Sequence, residues 1–442
     1  MRASGLSENE VAAWVAAAPP GSAGAFNDDA HATTAFLDQG ERLLASLPEP
    51  PRRDEGERAA AAAIFAALHD ARESFLSAHA ERLYDLLTDG LSTPLRLEEL
   101  LDRAAERFPG LVPAPSALAA ERERRLPDKD GVEIAQGRLL AHVLSSPRAG
   151  THLVRAMLRP TAAALECLDE FRAKGELDLG TALVRREGRM GTLELRNPRH
   201  LNAEDDTTIT PTETAVDLIL LDPDIEVGVM RGGVVDHPRY AGRRIFGAGL
   251  NLTRLYNGEI PFLFYVIRDL GFVNKIYRGL TEPQTEKLWI AAVETYAIGG
   301  ACQLLHVMDH VIAERGCRLY LPARREGIIP GASPLRLPRS VGDRLARQAI
   351  MSGHEFEAGT PEADLICDEI VEHGEMDAAI TRRAELLTSS GLVNAAANRR
   401  AMRAGQEPLD LFRTYMATYA REQADCHFSP ALVRNLEQHW NR

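Results

Sequence analysis

The sequence predicts an α/β core that lies between two helical segments. Up to about residue 180 the chain is rich in Ala, Leu, Glu and Arg and poor in β-branched residues, which favours helices. From Gly180, segments that alternate like strands are followed by segments with helical character, the pattern of α/β proteins. From about Leu409 the helical pattern returns. We therefore divide the chain into a helical domain (1–180), an α/β core (181–400) and a C-terminal helical segment (401–442).

Composition limits the possible functions. The chain has 442 residues with a formal net charge of -13, which argues against a general nucleic-acid-binding protein, since such proteins present a basic face. The N-terminus lacks the basic and apolar regions of a signal peptide, and no apolar run is long enough to cross a bilayer. The five cysteines stand singly, without a CxxC pair. These features favour a cytoplasmic protein and predict no thiolate metal site.

The helical domain shows its periodicity most clearly in residues 57–87. Apolar side chains recur there at helical spacing, at Ile64, Leu68, Ala71, Phe75, Leu83 and Leu86. The stretch Thr93-Pro94-Leu95 predicts the start of a further helix, with proline at its first position. That helix is expected to stop near Pro109-Gly110.

The core begins with alternating strands and helices. TLELRNP, EVGVMRGG and KLWIAAVETYA read as strands, and TETAVDLILLD reads as a helix. IAERGCRLYLP follows as short strands. The last of the long strands leads into Gly299-Gly300 and an apolar helix, and a similar turn, Gly247-Ala248-Gly249, occurs upstream.

These two turns predict a site for negative charge. A strand that turns directly into a helix leaves backbone N–H groups unpaired at the helix start, and glycine allows a ligand to approach them closely. Two such turns can direct two N–H groups, those of Leu250 and Gly300, onto one thioester oxygen. For each turn alone, tight packing between strand and helix is the simpler explanation.

Five sequence blocks in order resemble the crotonase (enoyl-CoA hydratase/isomerase) superfamily. They are RNPRHLNAE (196–204), IFGAGLNL (245–252), IGGACQLLHVMDHVIA (298–313), YLPARREGIIPGASPLRLPRSVG (320–342) and EADLICDEIVEHGEMDAAI (362–380). The resemblance implies a crotonase-like spiral of ββα units, an acyl-CoA substrate, and a homo-oligomer that is a trimer or a dimer of trimers. It also implies that the thioester oxygen lies between two backbone N–H groups.

The departures from the hydratase pattern are informative. Hydratases of this superfamily have glutamates at the positions of Gln303 and Ala323. Hydration needs carboxylates to activate water and to move protons, so simple enoyl-CoA hydration is rejected. With Gln303 in place and a helical N-terminal domain ahead of the core, the chain resembles the cofactor-free dioxygenases that act on 3,5-dihydroxyphenylacetyl-CoA, in the biosynthesis of an antibiotic amino acid.

That resemblance implies roles for individual residues. Leu250 and Gly300 would supply the oxyanion N–H groups, and Gln303 would orient a hydroxyl or a peroxide. Glu204 and Arg268 would contact ring hydroxyls. The remaining implied substrate contacts are His237, Pro238, Arg239, Tyr240, Ala248, Gly249, Asn251, Leu252, Ile298, Gly299 and Ile328. No metal and no organic cofactor are expected, because the substrate enolate itself would reduce O2.

Several alternatives stay open at the level of sequence. Arg268 could form an ordinary surface pair with Asp269, and Glu204 could simply stabilise a nearby helix start. His306 and His310 resemble a metal site at i and i+4, but we expect the helix to end near Asp309 and to turn His310 away. A non-oxidative thioesterase or isomerase, or a catalytically inactive acyl-CoA-binding protein, would also fit the fold.

Overall fold

The computed structural model describes residues 6–18, 24–389 and 391–440. This part of the chain forms two compact units. The first contains the described residues up to Ala156, together with Tyr256–Leu263 and Met416–Val433. The second contains Met157–Leu255, Phe264–Tyr415 and the described residues from Arg434 onwards.

The described residues up to Met157 form helices and their connections, as the sequence predicts. Its helices are α1 (Glu8–Ala16), α2 (Phe26–Ala45), α3 (Glu55–Leu87), α4 (Leu97–Arg107), α5 (Pro115–Arg122), α6 (Ile134–Ser145) and α7 (Pro147–Met157). Helix α3 buries the apolar side that its periodicity indicated, including Ile64 and Leu68. These two residues share a core with Trp14 and Phe36, whose rings stack with centroids 4.7 Å apart.

Helix α4 begins later than the sequence suggested. The predicted start at Thr93-Pro94 is wrong, since α4 begins at Leu97. The Thr93 hydroxyl donates to the Asp89 carboxylate instead. The Arg96 N–H donates to Glu99 Oε2 at 2.8 Å, so a carboxylate in the first turn marks the start of the helix. The predicted end near Pro109 agrees with the last helical residue, Arg107.

From Met157 onwards strands and helices alternate before the chain returns to helix. The strands are β1 (Glu176–Asp178), β2 (Ala182–Glu187), β3 (Met190–Leu195), β4 (Val227–Gly232), β5 (Leu280–Thr281), β6 (Gln284–Thr285), β7 (Leu288–Val293), β8 (Tyr296–Ile298), β9 (His310–Glu314), β10 (Arg318–Tyr320), β11 (Glu355–Glu357) and β12 (Glu369–Val371). The helices are α8 (Ala162–Lys174), α9 (Ile209–Leu221), α10 (Leu252–Tyr256), α11 (Leu263–Leu270), α12 (Phe272–Arg278), α13 (Gly300–Leu305), α14 (Ala323–Glu326), α15 (Ser333–Arg347), α16 (Met376–Thr388), α17 (Leu392–Gln406), α18 (Leu409–His427) and α19 (Pro430–His439).

The second unit is built on two β-sheets, and two strand–strand–helix repeats of the chain each contribute one strand to each sheet. The larger sheet has the order β1-β2-β3-β4-β7-β9-β12, and all its pairs from β3 to β12 are parallel. The smaller sheet has the order β11-β10-β8. The run β7-β8-α13 and the run β9-β10-α14 each give one strand to each sheet and then a helix. This repetition is the ββα spiral that the sequence predicted.

The core of the second unit explains why these strands read as apolar runs. Strand β7 is buried at every position because neighbouring parallel strands flank it and helix α16 covers one face. The segment predicted as one strand, 287–297, is in fact two. It bends at Thr295, whose φ is 67°, so that β8 leaves the large sheet and joins the small one. The bend directs the chain into the Gly299-Gly300 turn.

Three further observations bear on the expectations from composition. All five cysteines carry free thiols. Across the described ranges, no group of three or more His, Cys, Asp or Glu side chains is arranged to hold a metal ion. Of the helices described, none combines the length and the apolar character that crossing a bilayer requires.

Candidate active site

The two glycine turns lie side by side. Gly247 pairs with Ala297 in a parallel bridge, in which the Ile298 N–H donates to the Gly247 carbonyl at 3.0 Å. Two residues further on, Gly249 and Gly299 both have positive φ, and a Cβ added to Gly249 would lie 3.3 Å from the Gly299 Cα. Only glycine allows backbones to approach so closely. The same offset of fifty residues places Leu250 beside Gly300.

The orientation of Leu250 follows from its other neighbour. The Glu204 N–H donates to the Gly249 carbonyl at 2.7 Å, and the Asn251 N–H donates to the Glu204 carbonyl at 2.8 Å. Successive residues of an extended segment direct their N–H groups to alternate edges. The Leu250 N–H therefore points away from Glu204.

The Gly300 N–H stands at the first position of α13, where a helix N–H has no partner within the helix. Among the described residues, neither the Leu250 N–H nor the Gly300 N–H donates to another backbone group. Two adjacent N–H groups without backbone acceptors, one of them at a helix N-terminus, can bind an oxygen that carries developing negative charge.

Arg268 brings the three polar residues singled out from the sequence into contact. Its guanidinium binds Glu204 through two parallel contacts, Nε to Oε2 at 2.8 Å and Nη2 to Oε1 at 3.0 Å. Nη1 donates to Gln303 Oε1 at 3.0 Å. Nη2 also donates to the Gly300 carbonyl at 2.7 Å, which joins the cluster to the second glycine turn.

Arg268 is not a surface residue. Its side chain is only 3% exposed, and its guanidinium lies 5.4 Å from the centre of the Phe272 ring. The suggestion of an ordinary surface pair with Asp269 is therefore wrong, because Asp269 is 1% exposed and is itself part of the buried cluster. Burial raises the pKa of the Asp269 carboxyl, and the positive charge of Arg268 opposes that shift.

Glycine at two positions makes room for this cluster. A Cβ at Gly300 would overlap the Glu204 carboxylate. A Cβ at Gly331, whose φ is 48°, would overlap the Gln303 amide oxygen and lie 2.7 Å from Asp269 Oδ2. Gly331 was not singled out from the sequence. PGA is an ordinary turn pattern, so only the packing against Gln303 reveals its importance.

The HPRY loop, residues 237–240, packs on the glycine turns. The Tyr240 ring meets the Tyr296 ring edge-on at 5.8 Å, and Tyr240, Ala248 and Ile298 border the same small apolar cluster. Arg239 lies over the Tyr240 ring at 5.3 Å, and its N–H donates to His237 Nδ1 at 3.2 Å, across Pro238. The loop therefore lies beside the two glycine turns.

Of the remaining predicted contacts, Asn251 and Leu252 follow directly on the first glycine turn, and Ile328 lies near Gly331 in the chain. The Asn251 side chain donates to Asp205 at 3.0 Å and accepts from the Arg254 N–H, so it anchors the turn to α10. Leu252 is the first residue of α10 and is half-buried. Ile328 is half-buried after α14, three residues before Gly331.

The two histidines do not form a pair. Helix α13 ends at Leu305, earlier than expected, so His306 caps the helix while His310 begins strand β9. Burial lowers the pKa of His306 to about 3, which keeps its ring neutral. His310 lies 3.7 Å from both Asp368 and Glu369.

Comparison with known proteins agrees with the fold. The family model for enoyl-CoA hydratase/isomerase matches residues 185–423. The (3,5-dihydroxyphenyl)acetyl-CoA 1,2-dioxygenase of Amycolatopsis orientalis is 46% identical over 391 residues, which cover 87% of this chain and 89% of that protein. A probable mitochondrial enoyl-CoA hydratase of Dictyostelium discoideum is 26% identical over 51% of this chain and 76% of its own length. The solved structure of Pseudomonas aeruginosa OdaA, 23% identical, covers 60% of this chain and 100% of its own, with a TM-score of 0.50.

Proposed function

The chain belongs to the enoyl-CoA hydratase/isomerase family, and we propose that it converts (3,5-dihydroxyphenyl)acetyl-CoA and O2 into 3,5-dihydroxyphenylglyoxylate and free CoA. The observation that carries this proposal is the 46% identity to a dioxygenase of that substrate, because it extends over nearly the whole of both chains. It therefore includes the helical N-terminal region, which lies outside the span of the family model.

The polar groups around the oxyanion turns support this reaction over hydration. Gln303 and the buried Ala323 stand where hydratases of the family carry two glutamates. An amide can hydrogen-bond a substrate oxygen but does not act as an ordinary acid or base. Such a site can stabilise an enolate without protonating it again.

The enolate is the species that the two N–H groups would hold. Loss of one α-hydrogen as a proton places negative charge on the thioester oxygen, next to Leu250 and Gly300. The enolate then passes one electron to O2, and the resulting radical pair combines into a peroxide at the α-carbon. The peroxide attacks the thioester carbon and the thiolate leaves. The second α-hydrogen then leaves as a proton while the O–O bond breaks, which gives the α-keto acid. The α-carbon loses four electrons to O2, both oxygen atoms enter the acid, and one proton ends on CoA.

Ring recognition falls to Glu204, Arg268 and Gln303. Their contacts leave a carboxylate and an amide beside the oxyanion turn, and a phenol can donate to the first and accept from the second. A site that is built to hydrogen-bond a hydroxyl discriminates strongly against a substrate that lacks it, because its polar groups are then left unpaired.

The HPRY loop (residues 237–240), Ala248 and Ile298 would contact the pantetheine arm. Leu252 and Ile328 would contribute to a small apolar pocket for O2. The enzyme would act without a metal or an organic cofactor. It would be a cytoplasmic trimer or dimer of trimers, and its product would be a precursor in the biosynthesis of an antibiotic amino acid. This part of the proposal rests on the family resemblance and on the position of these residues around the two turns.

Oxygen uptake tests the proposal. The purified protein, treated with chelator, is given phenylacetyl-CoA and its mono- and dihydroxylated forms, while O2 consumption, free thiol and arylglyoxylate are measured together. We expect one O2 consumed for each CoA released, with the 3,5-dihydroxy ester preferred. CoA release at an unchanged rate without oxygen would identify a thioesterase instead. Activity that is lost with chelator and restored by iron would contradict the cofactor-free reaction.

A further inference from the structure

Asp269 is a buried carboxylate, and among the described residues only one of its two oxygens accepts a hydrogen bond. Its Oδ1 accepts from Arg268 Nη1 at 3.1 Å. Its Oδ2 is buried and has no hydrogen-bond partner among the described residues. An unpaired oxygen of this kind costs free energy on burial, so its presence calls for an explanation.

Asp269 and Gln303 accept hydrogen bonds from the same nitrogen, Arg268 Nη1. Nη1 donates to Asp269 Oδ1 and also to Gln303 Oε1, at 3.1 Å and 3.0 Å. An arginine side chain has donors only, so the Gln303 atom that faces it must be the amide oxygen. The two N–H bonds of Gln303 Nε2 are thereby directed away from Arg268 and remain available as donors.

The other side of Asp269 is closed by Gly331. A Cβ at this glycine would meet both Asp269 Oδ2 and Gln303 Oε1, so the carboxylate and the amide pack against the same short piece of backbone. The Tyr415 hydroxyl donates to the Gly331 carbonyl and thus ties that backbone to helix α18. The Gln303 oxygen is therefore confined between Arg268 on one side and Gly331 on the other.

We propose that Asp269 is a positioning residue: by holding Arg268 Nη1 against Gln303 Oε1, it fixes the Gln303 amide so that Nε2 is the donor toward the substrate. The identity of the substrate oxygen, a ring hydroxyl or the peroxide, rests on the proposed function. Glu204 holds the opposite edge of the guanidinium, and Asp269 constrains the edge that contacts Gln303. Without Asp269, Arg268 Nη1 is free to move off Gln303 Oε1, and the amide can then turn over and present an acceptor in place of a donor.

A double-mutant cycle tests this relationship. Asp269→Ala, Gln303→Ala and the double variant are compared with wild type in kcat and KM, measured as CoA release, which oxidative and non-oxidative activity share. We expect Asp269→Ala to lower kcat by about 10- to 100-fold, as misplacement of a contacting group does, with KM changed less than threefold. In the Gln303→Ala background the same change should cost less than threefold, because residues that act as a unit are not additive.

Two comparisons separate positioning from general damage. Asp309→Ala removes a half-buried aspartate from another arginine, since Asp309 Oδ1 lies 2.8 Å from Arg399 Nε. The other hydrogen bond that Asp309 accepts comes from the Trp289 N–H, outside the Arg268 cluster. This substitution should lower thermal stability without changing the preference between dihydroxylated and unsubstituted esters. Asp269→Asn keeps an oxygen acceptor for Nη1 and should recover part of the lost kcat, which also covers the case in which the alanine variant does not fold.

Multiplicative effects of the two alanine substitutions, or an Asn variant no better than Ala, would overturn the proposal. Failure of the proposed function would appear separately, as wild-type CoA release that consumes no O2. If wild type releases no CoA, the same cycle is measured as the Kd for (3,5-dihydroxyphenyl)acetyl-CoA by calorimetry. Non-additive losses of affinity would then support the positioning role, and additive losses would contradict it.

Discussion

The Arg268 guanidinium donates two parallel hydrogen bonds, of 2.8 Å and 3.0 Å, to the Glu204 carboxylate. The two residues both lie in the second unit but are 64 positions apart in the sequence. A bidentate pair of this kind fixes the direction of both side chains as well as their separation. Because the same guanidinium contacts Gln303 and the Gly300 carbonyl, the pair sets the geometry of the whole polar cluster.

Replacing Arg268 by lysine keeps the charge but loses the planar fork. Lysine cannot contact Glu204 twice and also reach Gln303, so we expect kcat/KM to fall at least about tenfold and the selectivity for hydroxylated esters to narrow. Breaking a buried pair should also lower stability by about 3 kcal/mol. Arg399→Lys, at another buried arginine of this unit, is the control: it should lose stability and keep its ester selectivity. Equal selectivity in the Arg268→Lys variant and wild type would contradict the assignment.

Substituting Gly300 by alanine should inactivate the site while the fold persists. The new methyl group would overlap Glu204, so the carboxylate must move off Arg268 or the turn must shift. A displacement of about 1 Å at such a position can cost roughly 100-fold in kcat. Gly405→Ala serves as the control, because a Cβ at that glycine of helix α17 meets no atom within 4 Å. Its kcat should match that of wild type, and a fully active Gly300→Ala protein would refute the oxyanion role.

Gln303→Glu should abolish oxidation without creating a hydratase. The new carboxylate would be the third acidic group around one guanidinium, beside Glu204 and Asp269, and its repulsion would disturb all three. Ala323 still lacks the second carboxylate that hydration requires. Oxygen uptake with the arylacetyl ester and hydration of crotonyl-CoA are measured on the same preparation. Appearance of hydratase activity would show that one glutamate is sufficient for hydration in this site. The control for an added negative charge is Gln284→Glu, at an exposed position.

Glu326 should make stability depend on pH. Burial raises the pKa of its carboxyl from 4.5 to about 7, so the folded protein keeps a proton that the unfolded chain loses between these values. Stability should therefore fall as pH rises from 4.5 to 7, by at most about 3 kcal/mol, and change no further from this group above pH 7. Glu326→Gln removes the titration, so the difference between it and wild type in chemical denaturation should grow across this window.

Glu385→Gln, on the exposed surface of α16, is the matched control for loss of one negative charge. Its free energy of unfolding should run parallel to that of wild type between pH 4.5 and 7. A constant difference between Glu326→Gln and wild type across that range would mean that Glu326 does not titrate in the way that its burial implies.

The sequence by itself determined the fold class and the principal polar residues of the candidate site. Helical periodicity predicted α3, because a helix must bury one side. The apolar run at 288–293 predicted β7, because a central parallel strand is covered on both faces. The paired glycine turns were recognisable in the sequence because close backbone contact requires glycine. The structure brings Glu204, Arg268 and Gln303 together beside these turns.

Only the tertiary structure decided how Asp269, Gly331 and Tyr415 take part. Asp269 follows Arg268 directly, and a neighbouring acid and base look the same in sequence whether they are exposed or buried. Tyr415 reaches Gly331 across 84 positions, and Gly331 meets Gln303 from a different loop. Such contacts leave no periodic trace, because they depend on where separate elements pack and not on the local preferences of either one. Burial then decides their effect, since an unpaired oxygen or a shared guanidinium matters energetically only where water is excluded.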